Sequence, residues 1–366
     1  MYSESDIDSA VEAGALTPAA AQAFRDHVAS GRATPMVDEE SFRLLTGFND
    51  IFVSIATILF LVAVAWIGSV IANGAFYGDS QGATQLVFAG TLLFGGAGVA
   101  VASWLLASYF TARRRMALPS ILLMLTFVGG VTALVFGLAA LFLDNPSDRV
   151  MGLVSASAGV AAALAALAHW RQYRVPITVA ALTVAVVGVA VGLLTAAVPS
   201  AVAGLRWLLL IAGLGIFAFA MRWDMSDRER QTRRSDVAFW LHLAAAPMIA
   251  HPVFWTLGVT SGDLGGGVAV MVIALYVFFG LVALAIDRRA LLVSSLAYVL
   301  YALSSLFERF GAVGLNVALT ALLIGSGLLM LSAFWTSLRR VVVGRLPADL
   351  QARLPALDRP LVVRPA

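Results

Sequence analysis

Ten long apolar stretches dominate the pattern of hydrophobic and polar positions after residue 48. They lie at 51–73, 86–110, 117–143, 150–169, 176–198, 205–222, 237–258, 266–286, 290–308 and 313–335. Each is close to the roughly 20 residues that an α-helix needs to cross about 30 Å of hydrocarbon. The pattern therefore predicts an all-α fold, a polytopic bundle of about ten transmembrane helices.

Arginine is distributed unevenly between the loops that connect these stretches. If the N-terminus is cytoplasmic, the five external loops hold only Arg149, Arg206 and Arg309. The cytoplasmic loops hold twelve arginines, which are Arg113, Arg114, Arg115, Arg171, Arg174, Arg222, Arg228, Arg230, Arg233, Arg234, Arg288 and Arg289. Cytoplasmic loops are enriched in positive residues. We therefore expect both termini on the cytoplasmic side of a bacterial inner membrane.

The composition supports lipid as the solvent of this chain. Of its 366 residues, 60% are hydrophobic and 12% are charged, whereas soluble domains have about 45–50% and 25%. The net charge of +3 comes from short loops rather than from a basic module, so we expect membrane lipids and not nucleic acid as partners. Cysteine is absent, which excludes disulfides and thiolate metal sites. The basic residues are all Arg, which is typical of a GC-rich bacterial genome.

Two polar segments flank the transmembrane domain, which we place at 49–338. Residues 1–48 form a predicted helical leader, in which one helix ends near Gly14 and a second begins with Thr17 as N-cap and Pro18 at N1. A third helix is predicted from Asp38 to Thr46. Residues 339–366 are rich in Pro and Arg, and we expect them to be an extended cytoplasmic tail on the membrane surface.

The leader also has short sequence motifs that are similar to those of other membrane proteins. Its sequences AGALTP at 13–18 and AQAF at 21–24 precede a polytopic domain. In this it resembles uncharacterised bacterial membrane proteins, grouped as domains of unknown function, which carry a similar Gly-x-Leu-Thr/Ser-Pro helical hairpin before many membrane helices. The resemblance covers the leader and the general layout, and it implies no activity.

Ionisable residues inside a membrane helix are usually functional, and here the predicted helix interiors contain no Asp, Glu or Arg. His242 and His251 lie well inside the seventh stretch. Nine residues at about 100° each place them on opposite faces of a straight helix, so one metal ion cannot easily take both. Each imidazole either hydrogen-bonds a neighbouring helix or serves as a proton relay or ligand contact.

Helix seven also contains Pro247 and Pro252, which can break a helix and so line a cavity. If the chain has two inverted halves of five helices, helix seven corresponds to helix two, which carries Gly95 and Gly96. Interrupted segments at matching places in two halves are the best sequence indication of a transporter site. These residues are therefore candidate cavity contacts.

Other small or polar residues predict helix packing. Gly188 and Gly192 form a GxxxG pair in helix five, and Gly129 and Gly137 belong to a small-residue stripe in helix three. Asn316 in helix ten is a candidate interhelical hydrogen-bonder or cavity residue.

These features favour a non-enzymatic structural or accessory membrane protein, with the acidic leader as a candidate docking element for a membrane or cytoplasmic protein. We find no residue pattern for catalysis, a metal or a cofactor. The alternative is a small-molecule transporter built from two inverted five-helix halves, with a central cavity between helices two and seven.

Overall fold

A computed structural model describes residues 4–24, 48–78, 81–230, 232–259, 265–309 and 314–357. It confirms the ten predicted helices, each within four residues of its predicted bounds. They are α1 (Phe48–Phe76), α2 (Gly82–Phe110), α3 (Ala117–Phe142), α4 (Asp148–Tyr173), α5 (Ile177–Ala197), α6 (Leu205–Ser226), α7 (Arg233–Thr256), α8 (Gly266–Ile286), α9 (Ala290–Arg309) and α10 (Asn316–Ala333). All ten are long and apolar enough to cross a membrane, so the chain is a multi-pass membrane protein.

The leader is helical where it is described. Its first helix spans Glu4–Glu12, and the chain turns at Gly14 with a left-handed φ of +73°, which glycine adopts without steric cost. Residues 18–24 are helical, and the Thr17 hydroxyl accepts a hydrogen bond from the backbone N–H of Ala20 at 3.1 Å. Thr17 is thus the N-cap, as predicted. The third predicted helix, 38–46, lies outside the described residues.

The ten helices pack largely in series. Close contacts join α1 to α2, α2 to α3, α3 to α4, and α4 to α5, and the same holds for α6 with α7, α8 with α9, and α9 with α10. The odd-numbered helices add the contacts α1 with α3, α5 with α7, and α7 with α9. Helix α5 therefore joins the first half of the bundle to the second mainly through α7.

Helix α7 forms the centre of the second half. Of its most apolar stretch 56% is buried, against 11% for α10 and 22% for α1. Its Leu241, Ala245 and Phe254 belong to the largest cluster of buried apolar residues, which also takes side chains from α6, α8 and α9. Helix α7 is therefore enclosed by its neighbours, whereas helices such as α1 and α10 expose most of their apolar surface.

Glycine allows the closest helix contacts in the first half. A Cβ added to Gly68 of α1 would lie 2.4 Å from the Cα of Gly95 in α2. One added to Gly96 would lie 2.8 Å from the carbonyl oxygen of Gly130 in α3. Backbones at such distances exclude any side chain, which is the usual role of small residues between membrane helices.

The chain after α10 folds back onto the bundle. Helix α11 (Trp335–Gly344) and the short α12 (Ala348–Gln351) follow. Leu354 is buried beside Ile286 of α8 and Val343 of α11. The prediction of an extended tail is therefore wrong for these two helical segments, because Pro347 stands at the N-cap of α12 and Pro355 follows its end, so that neither proline interrupts a helix.

Candidate functional site: a buried charge cluster at the Arg-rich end

One end of the bundle contains the α6–α7 loop, the α8–α9 loop and the segment after α10. We call it the Arg-rich end, and the sequence predicts that it is cytoplasmic. Helix α6 continues to Ser226 and α7 begins at Arg233, one turn beyond the predicted bounds on each side. This extension places Asp224 inside a helix, where it is only 1% exposed.

Asp224 binds side chains from two other elements. Its Oδ2 lies 2.9 Å from Nε2 of His242 in α7. Its Oδ1 accepts a hydrogen bond from Nη2 of Arg288 at 2.6 Å, a short charge-assisted contact of the strong kind. The same Nη2 also donates to the carbonyl oxygen of Ser235 at 3.0 Å. One carboxylate therefore joins α6, α7 and the α8–α9 loop.

Asp287 forms a second centre of the cluster. Its Oδ2 accepts a hydrogen bond from Nη1 of Arg230 at 2.8 Å, and its Oδ1 accepts one from the indole N–H of Trp335 at 2.8 Å. The Nε of Arg339 lies 3.8 Å from the same Oδ1. Asp287 thus fastens α11 to the α6–α7 loop.

Both members of the Arg230–Asp287 pair have unusual backbones. Arg230 has φ of +55° and Asp287 has φ of +57°, the left-handed region that costs non-glycine residues energy. Asp287 ends α8 in this conformation, and Arg230 Nη2 donates to the carbonyl oxygens of Ile286 and Asp287 at 3.1 and 3.0 Å. The guanidinium therefore satisfies carbonyls that the helix end leaves unpaired.

Two further arginines hold the tail. Arg339 donates from Nη2 to the carbonyl oxygen of Pro355 at 2.6 Å and from Nη1 to that of Ala356 at 3.1 Å. Arg228 donates from Nε to the carbonyl oxygen of Leu354 at 2.8 Å. We call the seven residues of this assembly the clasp; they are Asp224, Arg228, Arg230, His242, Asp287, Arg288 and Arg339.

The clasp corrects the prediction that the helix interiors contain no Asp, Glu or Arg, because the extended α6 contains the buried Asp224. Arg230 is 7% exposed and Arg288 is 3% exposed. Sequence reasoning missed these residues because they lie in loops or at the borders of apolar stretches, where a charge is normally solvated. One signal was available: Asp224 and Asp287 are acidic residues within two positions of the end of an apolar stretch, at the end richest in Arg.

The two histidines of α7 contact different helices, as their spacing predicts. His242 faces α6 and packs with its ring 5.1 Å from that of Phe217. His251 is exposed, and its Nδ1 is hydrogen-bonded to the hydroxyl of Tyr298 in α9. Each imidazole thus has the interhelical hydrogen bond that was one of the two interpretations.

The prolines of α7 do not break it. Pro247 and Pro252 both lie inside one continuous helix, Arg233–Thr256. Helix two contains a π-helical turn at Thr91–Gly95 but continues to Phe110 without a break. Gly95 and Gly96, however, face α1 and α3 at backbone contact distance, so they do not line a cavity shared with α7.

The remaining predicted residues divide into packed and open positions. Cβ atoms added to Gly192 and Gly137 would meet backbone of a neighbouring helix at 2.6 and 2.5 Å, whereas Gly188 and Gly129 have nothing within 4 Å. The packing role predicted for Gly188 and Gly129 is therefore wrong within this chain. Asn316 donates from Nδ2 to the hydroxyl of Ser304 in α9 at 3.0 Å, an interhelical bond at the opposite end of the bundle.

A comparison with known proteins found no relative. No protein-family model, curated protein or solved structure matches this chain.

Proposed function

We propose that this protein is a non-enzymatic structural or accessory component of its membrane, in which the leader recruits a protein partner and the Arg-rich end, on the same predicted side, is a fixed platform for it. One observation carries the proposal. All four carboxylate oxygens of Asp224 and Asp287 are bound by side chains of the chain itself. A reactive or transporting carboxylate needs an oxygen that faces a ligand, whereas these carboxylates fasten helices together.

What the clasp holds also supports a platform. It joins the α6–α7 loop, the α8–α9 loop, α11 and the chain up to Ala356. Truncating one partner of a buried ion pair costs about 3–5 kcal/mol, so the separate segments at this end are held in one arrangement. A rigid surface binds a partner with a smaller loss of entropy than a mobile one.

The transporter alternative has weaker support. It requires α2 and α7 to share a cavity, but α2 packs on α1 and α3, and α7 packs on α5, α6 and α9. A predicted break in helix seven first favoured it, but α7 is a continuous helix. We therefore rank transport second.

The proposal is tested by site-specific photocrosslinking in cells. A photoreactive amino acid at Leu16 or Phe24, both exposed in the leader, should give a discrete protein adduct, and both positions should give the same partner. The matched control is Leu322, an exposed residue of α10 that should face lipid and give none. Deleting residues 1–48 should leave the protein inserted and remove that partner from the recovered complex.

Two results would count against the accessory role. The first is an identical set of recovered partners with and without residues 1–48. The second is saturable flux of a small molecule by the purified protein in proteoliposomes that is abolished by His251→Ala or Pro252→Ala. The second result would restore the transporter.

A further inference from the structure

A cavity lies next to the clasp, between α8, α9 and α10 and against α11. Its volume is about 150 Å³. Arg289, Trp335 and Ser332 line it, together with Tyr276 of α8, Leu296 of α9 and Leu328 of α10. The cavity is thus bounded by one cation, two hydroxyl groups and an apolar wall.

The cation is held in a fixed position. The guanidinium carbon of Arg289 lies 4.6 Å from the centre of the Trp335 ring, within the range of a cation–π contact. Trp335 is 2% exposed, and its indole N–H is bound to Asp287 at 2.8 Å. Neighbouring arginines thus have different roles, because Arg288 binds Asp224 inside the clasp while Arg289 is directed to the cavity.

The position of Arg289 matches that of a lipid headgroup. It stands three residues after Ile286, the last residue of α8, where a membrane helix leaves the hydrocarbon. Trp and Tyr are enriched at this level of a bilayer, and basic pockets between transmembrane helices bind anionic lipid headgroups.

The walls and the opening suit an acyl chain. Leu296 and Leu328 provide apolar surface from α9 and α10. Val293, on the rim, is 65% exposed, and only 11% of the most apolar stretch of α10 is buried. The cavity therefore lies beside the lipid-facing side of the bundle. The hydroxyl of Tyr276 is buried without a hydrogen-bond partner among the described residues, and a polar ligand atom in the cavity would satisfy it.

The geometry points to a binding site for an anionic phospholipid at Arg289, with the phosphate on the guanidinium and the Ser332 hydroxyl and one acyl chain along Leu296 and Leu328. A guanidinium binds phosphate through paired, charge-assisted hydrogen bonds, whereas a zwitterionic headgroup also brings a cation close to Arg289. The site therefore discriminates by headgroup charge. It is independent of the accessory role, because it concerns lipid alone.

The test measures lipid retention by native mass spectrometry. The full chain is reconstituted in nanodiscs of equal phosphatidylglycerol and phosphatidylcholine, released, and the bound lipids are counted at rising collision energy. We expect one phosphatidylglycerol to be retained after the others are lost. Arg289→Gln should lower the ratio of retained phosphatidylglycerol to phosphatidylcholine about tenfold, the effect of losing one charge-assisted hydrogen bond.

Two variants distinguish lipid binding in this cavity from a general attraction of anionic lipid to the charged surface. Arg345 is exposed at the same end and does not line the cavity, so Arg345→Gln should retain the lipid as the unmodified chain does. Leu328→Phe fills the cavity from α10 without a change of charge and should also displace the lipid. Because each chain is scored by its ratio of two lipids, partial loss of folded protein does not imitate the effect.

Three outcomes would overturn the assignment. Equal loss in Arg289→Gln and Arg345→Gln would show a diffuse surface potential. Unchanged retention in both Arg289→Gln and Leu328→Phe would place the lipid elsewhere. Displacement of the lipid by millimolar glycerol phosphate would show a site for the soluble phosphate group, with no acyl-chain contribution.

Discussion

The clasp makes a strong prediction about Asp224. In Asp224→Asn the side chain keeps its shape and loses its charge, so Arg288, which is 3% exposed, keeps a buried charge without its carboxylate. His242 loses the same acceptor, which lies 2.9 Å from its Nε2. We therefore expect a large loss of stability without loss of the membrane helices.

The magnitude follows from these contacts. Removing one partner of a buried ion pair costs about 3–5 kcal/mol. The amide oxygen of Asn can still accept one hydrogen bond, which returns about 1 kcal/mol. The expected loss in the free energy of unfolding is thus about 2–4 kcal/mol, a large part of the roughly 5–15 kcal/mol of a typical protein.

The assay is reversible unfolding in lipid bicelles, followed by steric trapping with binding tags. Asp144→Asn is the matched control, because Asp144 is exposed at the other end and its side chain accepts from its neighbour Asn145. It should change stability by less than about 0.5 kcal/mol. The double variant Asp224→Asn with Arg288→Gln should lose at least about 1 kcal/mol less than the sum of the single variants, because the buried charge is gone. Additive losses, or an Asp224→Asn variant as stable as the control, would refute the ion pair.

Three further predictions concern packing, the tail and orientation. Gly192→Ala should destabilise the chain by about 1–3 kcal/mol, because its Cβ would lie 2.6 Å from the backbone of α4. Gly188 is one turn away and has open space around it, so Gly188→Ala should be neutral or slightly stabilising in the same unfolding assay. Equal effects of the two substitutions would contradict the α4–α5 contact. Arg339→Gln removes the donors to Pro355 and Ala356 and should speed protease cleavage of residues 345–357 severalfold, with Arg345→Gln cleaved as slowly as the unmodified chain. Since the chain has no cysteine, single introduced cysteines report its orientation in the membrane. In intact cells an impermeant maleimide should label Asp144→Cys and should not label Arg345→Cys. The reverse pattern would overturn the predicted topology.

The lengths of the apolar stretches and the arginines of the connecting loops were enough to predict the ten helices. The apolar stretches have the length that a helix needs to cross a bilayer, and a helix satisfies its backbone polar groups within its own segment, as lipid requires. The Thr17 N-cap and the opposite faces of His242 and His251 also followed from sequence, because capping and helical spacing are local properties. Each of these features depends only on residues that are close to one another in the sequence.

Only the tertiary structure decided which polar residues are buried and what they bind. Asp224 and Arg288 are 64 residues apart, and Arg228 meets Leu354 across 126 residues. In the sequence the three charged residues, Asp224, Arg228 and Arg288, stand outside the predicted helices, where water is the usual partner of a charge. Whether a terminal charge is solvated or enclosed depends on which helix ends meet and on whether the following chain covers them. Those are properties of the packed bundle, since a buried charge is stable only when its partner is brought to it.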